Sequence, residues 1–440
     1  MERKLTKNEF ISISLLLFAM LFGSGNLIFP PMLGNQAGTS TLIALAGFAV
    51  TAVVFPVLGI LAISKTNGVE NLVNRVGPLF AVVYPAIVFL AIGPGIAIPR
   101  NGSLAFEMSV APYLSSDSNI VIARLIYTLL FFGVSYYLCL YPGKLVDRIG
   151  KVLTPILLGL ILVFFLGAVI FLQTDVASPT ATYDSAFVTG ILEGYNTMDA
   201  LASLNFGLVV AMTIKGLGIK KENQIIKYTS AAGLLAGVLL LTVYGMLAYV
   251  GMITSNGNQG VPNGGNILFT ITNNVFGSLG AVILILIFTL ACLTTVVGLI
   301  TSVSEYFAEL TNNKVTYNQW IFIYTFISLV LANFGLDTIL QFSIPILVGI
   351  YPPAIMLIIM ALLQEYLNFD RLTYQATIYI TLLIAVIAGL KSVGIELAFI
   401  NNILSTLPFY NDGLEWILPA FVVLIGMTIQ SKIRNTSAVN

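Results

Sequence analysis

The chain contains no histidine, and that absence removes several kinds of functional site at once. A protein without imidazole has no histidine metal ligands, no Ser-His-Asp triad and no histidine proton relay. Cysteine is almost as scarce, since only Cys139 and Cys292 occur and both lie inside apolar stretches. Their positions are typical of small packing residues rather than of a disulfide or a metal pair.

Charged residues are also few. Asp, Glu, Lys and Arg make up 9% of the 440 residues and hydrophobic residues make up 58%, whereas a soluble domain is about 25% charged. This composition indicates an all-α polytopic membrane protein. The formal net charge is zero, so the composition gives no support to nucleic-acid binding.

A transmembrane helix needs about 20 mostly apolar residues, and the sequence contains twelve such stretches. They lie at roughly 9–34, 41–63, 78–99, 120–141, 152–173, 187–214, 228–253, 278–307, 317–334, 338–363, 374–391 and 411–431. The third stretch can continue through Pro99, and Asn266 to Phe276 is expected to lie across the outer face. The first stretch is too long for a signal peptide and follows a short basic tail, which argues against a cleaved leader.

The distribution of Lys and Arg orients these spans. With the two tails, 1–8 and 432–440, placed inside, sixteen of the 19 basic residues fall on the cytoplasmic side. The other three, Arg100, Arg124 and Lys391, fall outside or within spans. Every second loop is therefore almost free of positive charge, as the positive-inside rule demands. We expect a multi-pass protein of a bacterial cell membrane with both termini in the cytoplasm.

The first span is interrupted near its middle. Its apolar run Ile11 to Leu21 meets Phe22-Gly23-Ser24-Gly25-Asn26 and then resumes toward Pro30. Irregular backbone at that depth is tolerated only where it lines a cavity or is buried in protein. In transporters such breaks free backbone groups that hold substrate and ions.

A second interruption predicts an internal repeat. Spans one to five (9–173) and six to ten (187–363) each hold five helices, so the second unit is inverted, and 374–431 adds two helices. Moving about 175 residues on from Gly23 leads to Glu193-Gly194-Tyr195-Asn196-Thr197-Met198-Asp199, again a polar break in an apolar span. Each break is either a packing kink or part of an alternating-access binding site. The occurrence of the breaks as a pair favours the binding site.

The residue types at the breaks suit small charged ligands. Gly23 and Gly25 let backbone approach a ligand closely, and the restarting helix points its amides at the gap, as a carboxylate site requires. The preceding carbonyls suit a hard cation, to which Asn26 can add an oxygen. Asp199 is costly at the bilayer midplane unless paired or hydrated. It can cap the restarting helix, bind a cation or exchange a proton, whereas Glu193 lies nearer the outside.

Two other spans carry polar residues. In the eighth, Ala291-Cys292-Leu293-Thr294-Thr295 places two adjacent hydroxyls in an apolar helix. These hydroxyls either bond back to the preceding turn or face the first span and complete an oxygen cage for Na⁺. In the third, Arg100 and Glu107 can share a helical face as a salt bridge near the outer vestibule.

Three motifs together resemble a known family. They are Phe22-Gly23-Ser24-Gly25-Asn26-Leu27-Ile28-Phe29-Pro30-Pro31, Gly93-Pro94 with Pro99-Arg100, and Gly194-Tyr195-Asn196-Thr197-Met198-Asp199. The combination resembles the branched-chain amino acid carriers of bacteria, which are leucine, isoleucine and valine cation symporters. The resemblance spans essentially the whole chain. It implies the amino acid–polyamine–organocation superfamily and a five-plus-five inverted-repeat bundle with two extra C-terminal helices.

The sodium-coupled leucine transporters of that fold give a looser guide. Their first helix carries a Gly-x-Gly-Asn break, which matches Gly23-Ser24-Gly25-Asn26 here. Their sodium site uses two carbonyls ahead of the break, together with one carbonyl and two hydroxyls of the eighth helix. The matching residues of this chain are Ala19, Phe22, Ala291, Thr294 and Thr295.

The resemblance implies a secondary transporter, not an enzyme, that imports leucine, isoleucine and valine with Na⁺ as coupling ion and no other cofactor. A proton-coupled permease that uses Asp199 or Glu193 is the alternative. The expected substrate-binding residues are Gly23, Ser24, Gly25, Asn26, Gly194, Tyr195, Asn196, Thr197 and Asp199. The sequence carries no adequate nucleophile–base set for an enzyme and no filter motif or charge ring for a channel. Beyond the lipid bilayer, no obligate protein partner is evident.

Overall fold

The computed structural model describes residues 3–66, 68–114, 117–172, 175–257, 259–395 and 397–439. These residues form helices and connecting loops, and no strand occurs among them. Positions 1–2 and 440 of the predicted tails, and position 173 at the end of the first predicted repeat, lie outside the described ranges. The α-helices are α1 Lys7–Leu21, α2 Ser24–Ala37, α3 Thr41–Ala49, α4 Phe55–Thr66, α5 Val69–Val73, α6 Pro78–Leu90, α7 Ala97–Ser109, α8 Asp117–Cys139, α9 Thr154–Phe171, α10 Ala186–Tyr195, α11 Asp199–Gly216, α12 Glu222–Ile253, α13 Gly264–Phe276, α14 Ser278–Leu310, α15 Tyr317–Ala332, α16 Leu336–Leu367, α17 Arg371–Ser392, α18 Ala398–Leu404 and α19 Ile417–Val439.

Each of the twelve predicted spans falls on these helices. By length and hydropathy, nine helical segments of the described ranges can cross a membrane, or ten when the bent pair α10 and α11 counts as one span. Two reasons explain the difference between these ten and the twelve predicted spans. Helix α15 has only 16 residues and is not counted, and the single stretch Ser24–Thr66 holds parts of two predicted spans. Gly38 ends α2 with a φ of +48°, so the chain turns there before α3 begins.

Both predicted interruptions are breaks between helices. The first span is divided into α1 and α2, and the sixth is divided into α10 and α11, which meet at 47°. The third span also continues past Pro99 as predicted. It does so after a distorted turn, Ala91–Gly95, in which Gly93 leaves helical geometry with a ψ of −126°.

The packing of the two halves is reciprocal. The broken span α1–α2 packs along α12, and the broken span α10–α11 packs along α3 and α4. Each broken helix is therefore held by the second span of the other half, as expected for two inverted repeats. Helices α7 and α14, the third and eighth spans, pack against each other beside both breaks.

Glycines bring these helices close together. A Cβ atom on Gly190 of α10 would collide with the carbonyl of Ala44, and one on Gly47 of α3 would collide with the carbonyl of Phe187. Small residues at such contacts are the usual device for close helix packing in membranes. Many large apolar side chains of the bundle are exposed, for example Leu125, Leu129 and Leu130 of α8. These faces suit contact with lipid rather than water.

Candidate functional site

The first break is organised by Asn26. Helix α1 ends at Leu21, and Gly23 is extended with a φ of −113° before α2 begins at Ser24. The Oδ1 atom of Asn26 accepts a hydrogen bond of 2.9 Å from the Gly23 amide. One side chain thereby satisfies a backbone group that the break would otherwise leave free.

The second break carries its charge on Asp199. The Oδ2 atom of Asp199 accepts hydrogen bonds from Asn26 Nδ2 at 2.5 Å and from the Tyr244 hydroxyl at 3.1 Å. Asp199 is 3% exposed. The N-cap interpretation of Asp199 was wrong, because Met198 occupies that position with a φ of +67° and Asp199 is the first helical residue. Its carboxylate is therefore directed across the gap toward α2 and α12.

Tyr244 of α12 joins the two breaks. Its hydroxyl contacts both Asn26 and Asp199. Its ring lies 6.3 Å from the ring of Phe22 in a stacked arrangement and packs edge-on against Phe48. Sequence reasoning missed this residue, since a tyrosine within a long apolar helix looks like ordinary core packing.

A small cavity lies between the breaks. The space in it that is open to the centre of a water-sized sphere is about 20 Å³, close to the room that one water molecule needs. A branched side chain needs more space, so binding requires the surrounding helices to move apart. The cavity is lined by Met20, Leu21, Gly23, Ser24, Asn26, Ile92, Ala97, Arg100, Asn101, Thr197, Met198, Asp199, Ala202, Thr295 and Leu299.

Five of the nine predicted substrate-binding residues line this cavity, and the other four, Gly25, Gly194, Tyr195 and Asn196, lie outside its lining. A Cβ on Gly25 would lie 3.1 Å from the Thr197 Cα. Asn196 offers a main-chain carbonyl, and Tyr195 stacks on Tyr351 of α16 at 4.5 Å. Gly194 faces Thr51.

Arg100 is a further residue of the cavity, outside the predicted substrate-binding set. It is 3% exposed, and its Nη1 donates a hydrogen bond of 3.0 Å to the Asn196 carbonyl. The predicted Arg100–Glu107 salt bridge was wrong. Seven residues of helix separate their Cα atoms by about 10 Å along the axis. Arg100 instead contacts the Asn196 carbonyl, and Glu107 lies 3.6 Å from the Arg124 guanidinium group. The sequence still marks Arg100 as a candidate, since a charged residue inside a span is a functional candidate by default.

Asn101, beside Arg100, was also missed. Its Oδ1 accepts a hydrogen bond of 2.9 Å from the Ser24 amide, and its Nδ2 donates to the Ala97 carbonyl at 2.7 Å. The first amide of α2, which the sequence offers to a ligand carboxylate, is thus bound to a side chain of α7.

Four of the five predicted sodium ligands come together beside the cavity. The Thr294 hydroxyl lies 3.0 Å from both the Ala19 and Ala291 carbonyls, and the Thr295 hydroxyl lies 3.1 Å from the Ala19 carbonyl. Thr294 therefore both bonds back to its own helix and reaches the first span. Phe22 follows the last residue of α1, one turn beyond Ala19.

This cluster of neutral oxygens fits a monovalent hard cation in donor type. Carbonyl and hydroxyl oxygens from two helices converge without a carboxylate of their own. Within the described ranges, no group of three or more Asp, Glu or Cys side chains is placed to hold a metal ion. Glu193, the other acidic candidate, is half-buried on α10 and does not line the cavity.

Comparison with known proteins shows which sequences this chain resembles. A family model described as "Branched-chain amino acid transport protein" matches residues 6–434. The branched-chain amino acid permease BraB of Bacillus subtilis is 38% identical over 444 residues, covering 100% of this chain and 99% of that protein. The branched-chain amino acid transport system 2 carrier protein of Pseudomonas aeruginosa is 38% identical over 427 residues, covering 95% and 94%.

Solved structures agree on the fold. MhsT in complex with L-phenylalanine has a TM-score of 0.58 at 14% identity, covering 98% of each chain. Mhp1, a nucleobase-cation-symport-1 family transporter in a closed conformation, has a TM-score of 0.57 at 13% identity, covering 97% of this chain and 93% of that one. At these identities the likeness concerns the fold alone.

Proposed function

The chain belongs to the branched-chain amino acid transport protein family, and from that premise we propose that it imports leucine, isoleucine and valine by sodium-coupled symport. Family membership makes it a transporter of branched-chain amino acids and not an enzyme. The coupling ion, the direction of transport and the binding residues go beyond family membership and are proposed here. The observation that carries the proposal is the convergence of both helix breaks on one cavity, beside the hydroxyls of Thr294 and Thr295.

The apolar part of the cavity suits a branched side chain. Met20, Leu21, Ile92 and Leu299 line it beside the polar groups of the breaks. Burying a four-carbon side chain contributes about 2–3 kcal/mol. One methylene more or less discriminates only modestly in such a pocket, so leucine, isoleucine and valine should compete with one another.

Sodium is supported by the oxygen cluster at the end of α1. Na⁺ there would bridge α1 and α14 through Ala19, Thr294 and Thr295. A ligand shifts a conformational equilibrium only by binding one state better than another. We propose that Na⁺ favours the outward-open state, in which the substrate enters, until substrate binding closes it.

Alternating access needs a route to the cytoplasm. A second cavity of about 360 Å³ is lined by Glu9 of α1, Thr213 of α11 and Glu305 of α14, among others. Helices α1, α11 and α14 line both cavities. The second cavity lies at the end of the bundle where α1 begins and where α11 and α14 end. The distribution of Lys and Arg favours the cytoplasm for that face. This cavity is the proposed exit path.

Proton coupling remains the second candidate because of one observation. Asp199 is a buried carboxylate within hydrogen-bonding distance of two neutral donors, Asn26 and Tyr244. A carboxylate at a transporter's central site can carry a proton as well as hold a ligand. Glu193 is less suited to this role because it lies away from the cavity.

The test is uptake of radiolabelled leucine into proteoliposomes that contain the purified protein. An inward Na⁺ gradient is compared with an inward proton gradient of equal driving force, and protein-free liposomes give the background. Accumulation driven by Na⁺ and blocked by unlabelled isoleucine and valine is the expected result. Uptake driven by protons alone would overturn the sodium assignment. Absence of leucine uptake under both gradients would overturn the proposed substrates.

A further inference from the structure

Two opposite charges are buried at the central cavity without a salt bridge. Arg100 of α7 and Asp199 of α11 are each 3% exposed and both line the cavity. However, among the residues that the structure describes, no ion pair within 4.0 Å includes either one. Burying charges in this way is costly unless a partner compensates them.

Arg100 retains donors that the protein does not use. A guanidinium group has five N–H donors in a planar fork. Its Nη1 is bound to the Asn196 carbonyl, while its Nε has no hydrogen-bond partner. A Cβ on Gly25 would lie 3.2 Å from its Nη2, so the guanidinium group lies against the first break. The absence of a side chain at Gly25 leaves this close approach open.

The backbone amides at the first break are already bound. The Gly23 amide donates to Asn26 Oδ1 and the Ser24 amide donates to Asn101 Oδ1, both at 2.9 Å. A substrate carboxylate would have to displace these side chains to reach the amides. The free donors of Arg100 need no such displacement, and a guanidinium fork matches a carboxylate with two parallel hydrogen bonds.

Asp199 offers the complementary charge. Its two side-chain donors, Asn26 Nδ2 and the Tyr244 hydroxyl, are neutral and bring no positive charge to it. An ammonium group placed beside this carboxylate would supply that charge. A zwitterion of the size of an α-amino acid carries both of the missing partners a few bonds apart.

We propose that Arg100 binds the α-carboxylate of the substrate and that Asp199 binds its α-ammonium group. The inference rests on the proposed function as an amino acid importer and adds the residue that reads the carboxylate. The substrate then bridges two charges that the protein holds apart. Compounds that lack either charge should be rejected, because they leave one buried group uncompensated.

The test is a binding panel on purified protein, measured by isothermal titration with saturating coupling ion. The ligands are leucine, leucinamide, which keeps the amine but has no carboxylate, and 4-methylpentanoate, which keeps the carboxylate but has no amine. For Arg100→Gln we expect leucine to bind about 100-fold more weakly, with leucinamide unchanged. For Asp199→Asn we expect the preference for leucine over 4-methylpentanoate to collapse instead. Arg100→Lys keeps the charge without the fork and should fall in between.

Arg124→Gln is the matched control, because Arg124 is the other arginine of this region and lies outside the cavity. It should leave all the ligand preferences unchanged.

A uniform loss of leucine and leucinamide binding in Arg100→Gln would mean that Arg100 only holds the Asn196 carbonyl, and would overturn the inference. If Arg100→Gln does not fold, the ratio of leucine affinity to leucinamide affinity in Arg100→Lys is the deciding measurement. Wild-type protein that binds leucinamide as tightly as leucine would also overturn the inference. Wild-type protein that binds no leucine would instead contradict the proposed function.

Discussion

Asn26 and Asp199, 173 residues apart in the sequence, are joined by a hydrogen bond of 2.5 Å from the amide Nδ2 to the carboxylate Oδ2. The bond links the two broken helices directly across the central cavity. Because Asn26 also accepts from the Gly23 amide, the geometry of one break is tied to the position of the other. Opening the cavity for a substrate would have to rearrange this contact.

We predict that Asn26→Ala lowers the rate of leucine uptake about 10- to 100-fold, since a hydrogen bond to a charged group contributes about 1.5–3 kcal/mol. Tyr244→Phe should have a smaller effect, because Asp199 keeps the bond from Asn26. Initial uptake rates in proteoliposomes measure both variants. Asn35→Ala, on the same helix α2 but outside the cavity, is the control and should stay within about twofold. Wild-type rates in Asn26→Ala would show that this bond has no part in transport.

The oxygen cluster at α14 gives a prediction about ion dependence. Thr294→Ala and Thr295→Ala should each raise the Na⁺ concentration for half-maximal uptake about tenfold, the equivalent of one lost neutral ligand. The maximal rate at saturating Na⁺ should change little. Ser302→Ala removes another buried hydroxyl of α14, which bonds back to the Leu299 carbonyl at 3.2 Å. It should leave the Na⁺ curve unchanged, and an equal shift in this control would refute a specific sodium site.

The sequence predicts the two breaks because their signals are local. Gly23 and Gly25 interrupt an apolar run, and Gly194 to Asp199 does the same at the corresponding position of the second half. The bond from Asn26 to Asp199 could not be foreseen, because helix periodicity does not say which faces of distant helices meet. The same limit applies to Arg100. Spacing along its own helix suggested Glu107 as its partner, whereas its partner is the Asn196 carbonyl of the other half.

Asp199 allows the two coupling mechanisms to be separated. Asp199→Asn keeps the shape of the side chain but can no longer exchange a proton. We expect it to require more leucine for half-maximal uptake and still to accumulate leucine under a Na⁺ gradient. Uptake is measured at saturating leucine under each gradient in turn. Loss of all gradient-driven uptake, in protein that still binds leucine, would instead favour a proton carried by Asp199.

Close helix packing leads to a stability prediction. Gly190→Ala should lower the free energy of unfolding by about 1–3 kcal/mol, because its Cβ would press on the Ala44 carbonyl of the backbone. Gly133→Ala is the control on α8, where a Cβ would have nothing within 4 Å. It should be neutral or stabilise by about 0.5–1 kcal/mol. Thermal unfolding in detergent compares the two variants, and an equal response would contradict the packing interpretation.

The start of α16 depends on Glu107, which lies on α7. Its Oε1 accepts a hydrogen bond of 3.0 Å from the Leu336 amide and lies 3.6 Å from the Arg124 guanidinium group. We predict that Glu107→Ala lowers the free energy of unfolding by about 1–2 kcal/mol, as expected for the loss of a helix cap and a half-buried charge contact. Glu107→Gln keeps the accepting oxygen and should recover part of that loss.

Glu365→Ala provides the comparison, because Glu365 also pairs with a cation, Lys65 at 2.9 Å, but its side chain is 61% exposed. Exposed ion pairs contribute about 0–1 kcal/mol, so the melting temperature of this variant should stay close to that of the wild type. If Glu107→Ala is no less stable than Glu365→Ala, the contact between α7 and α16 does not stabilise the fold. If Glu107→Gln is as unstable as Glu107→Ala, the charge contact with Arg124 outweighs the cap on Leu336.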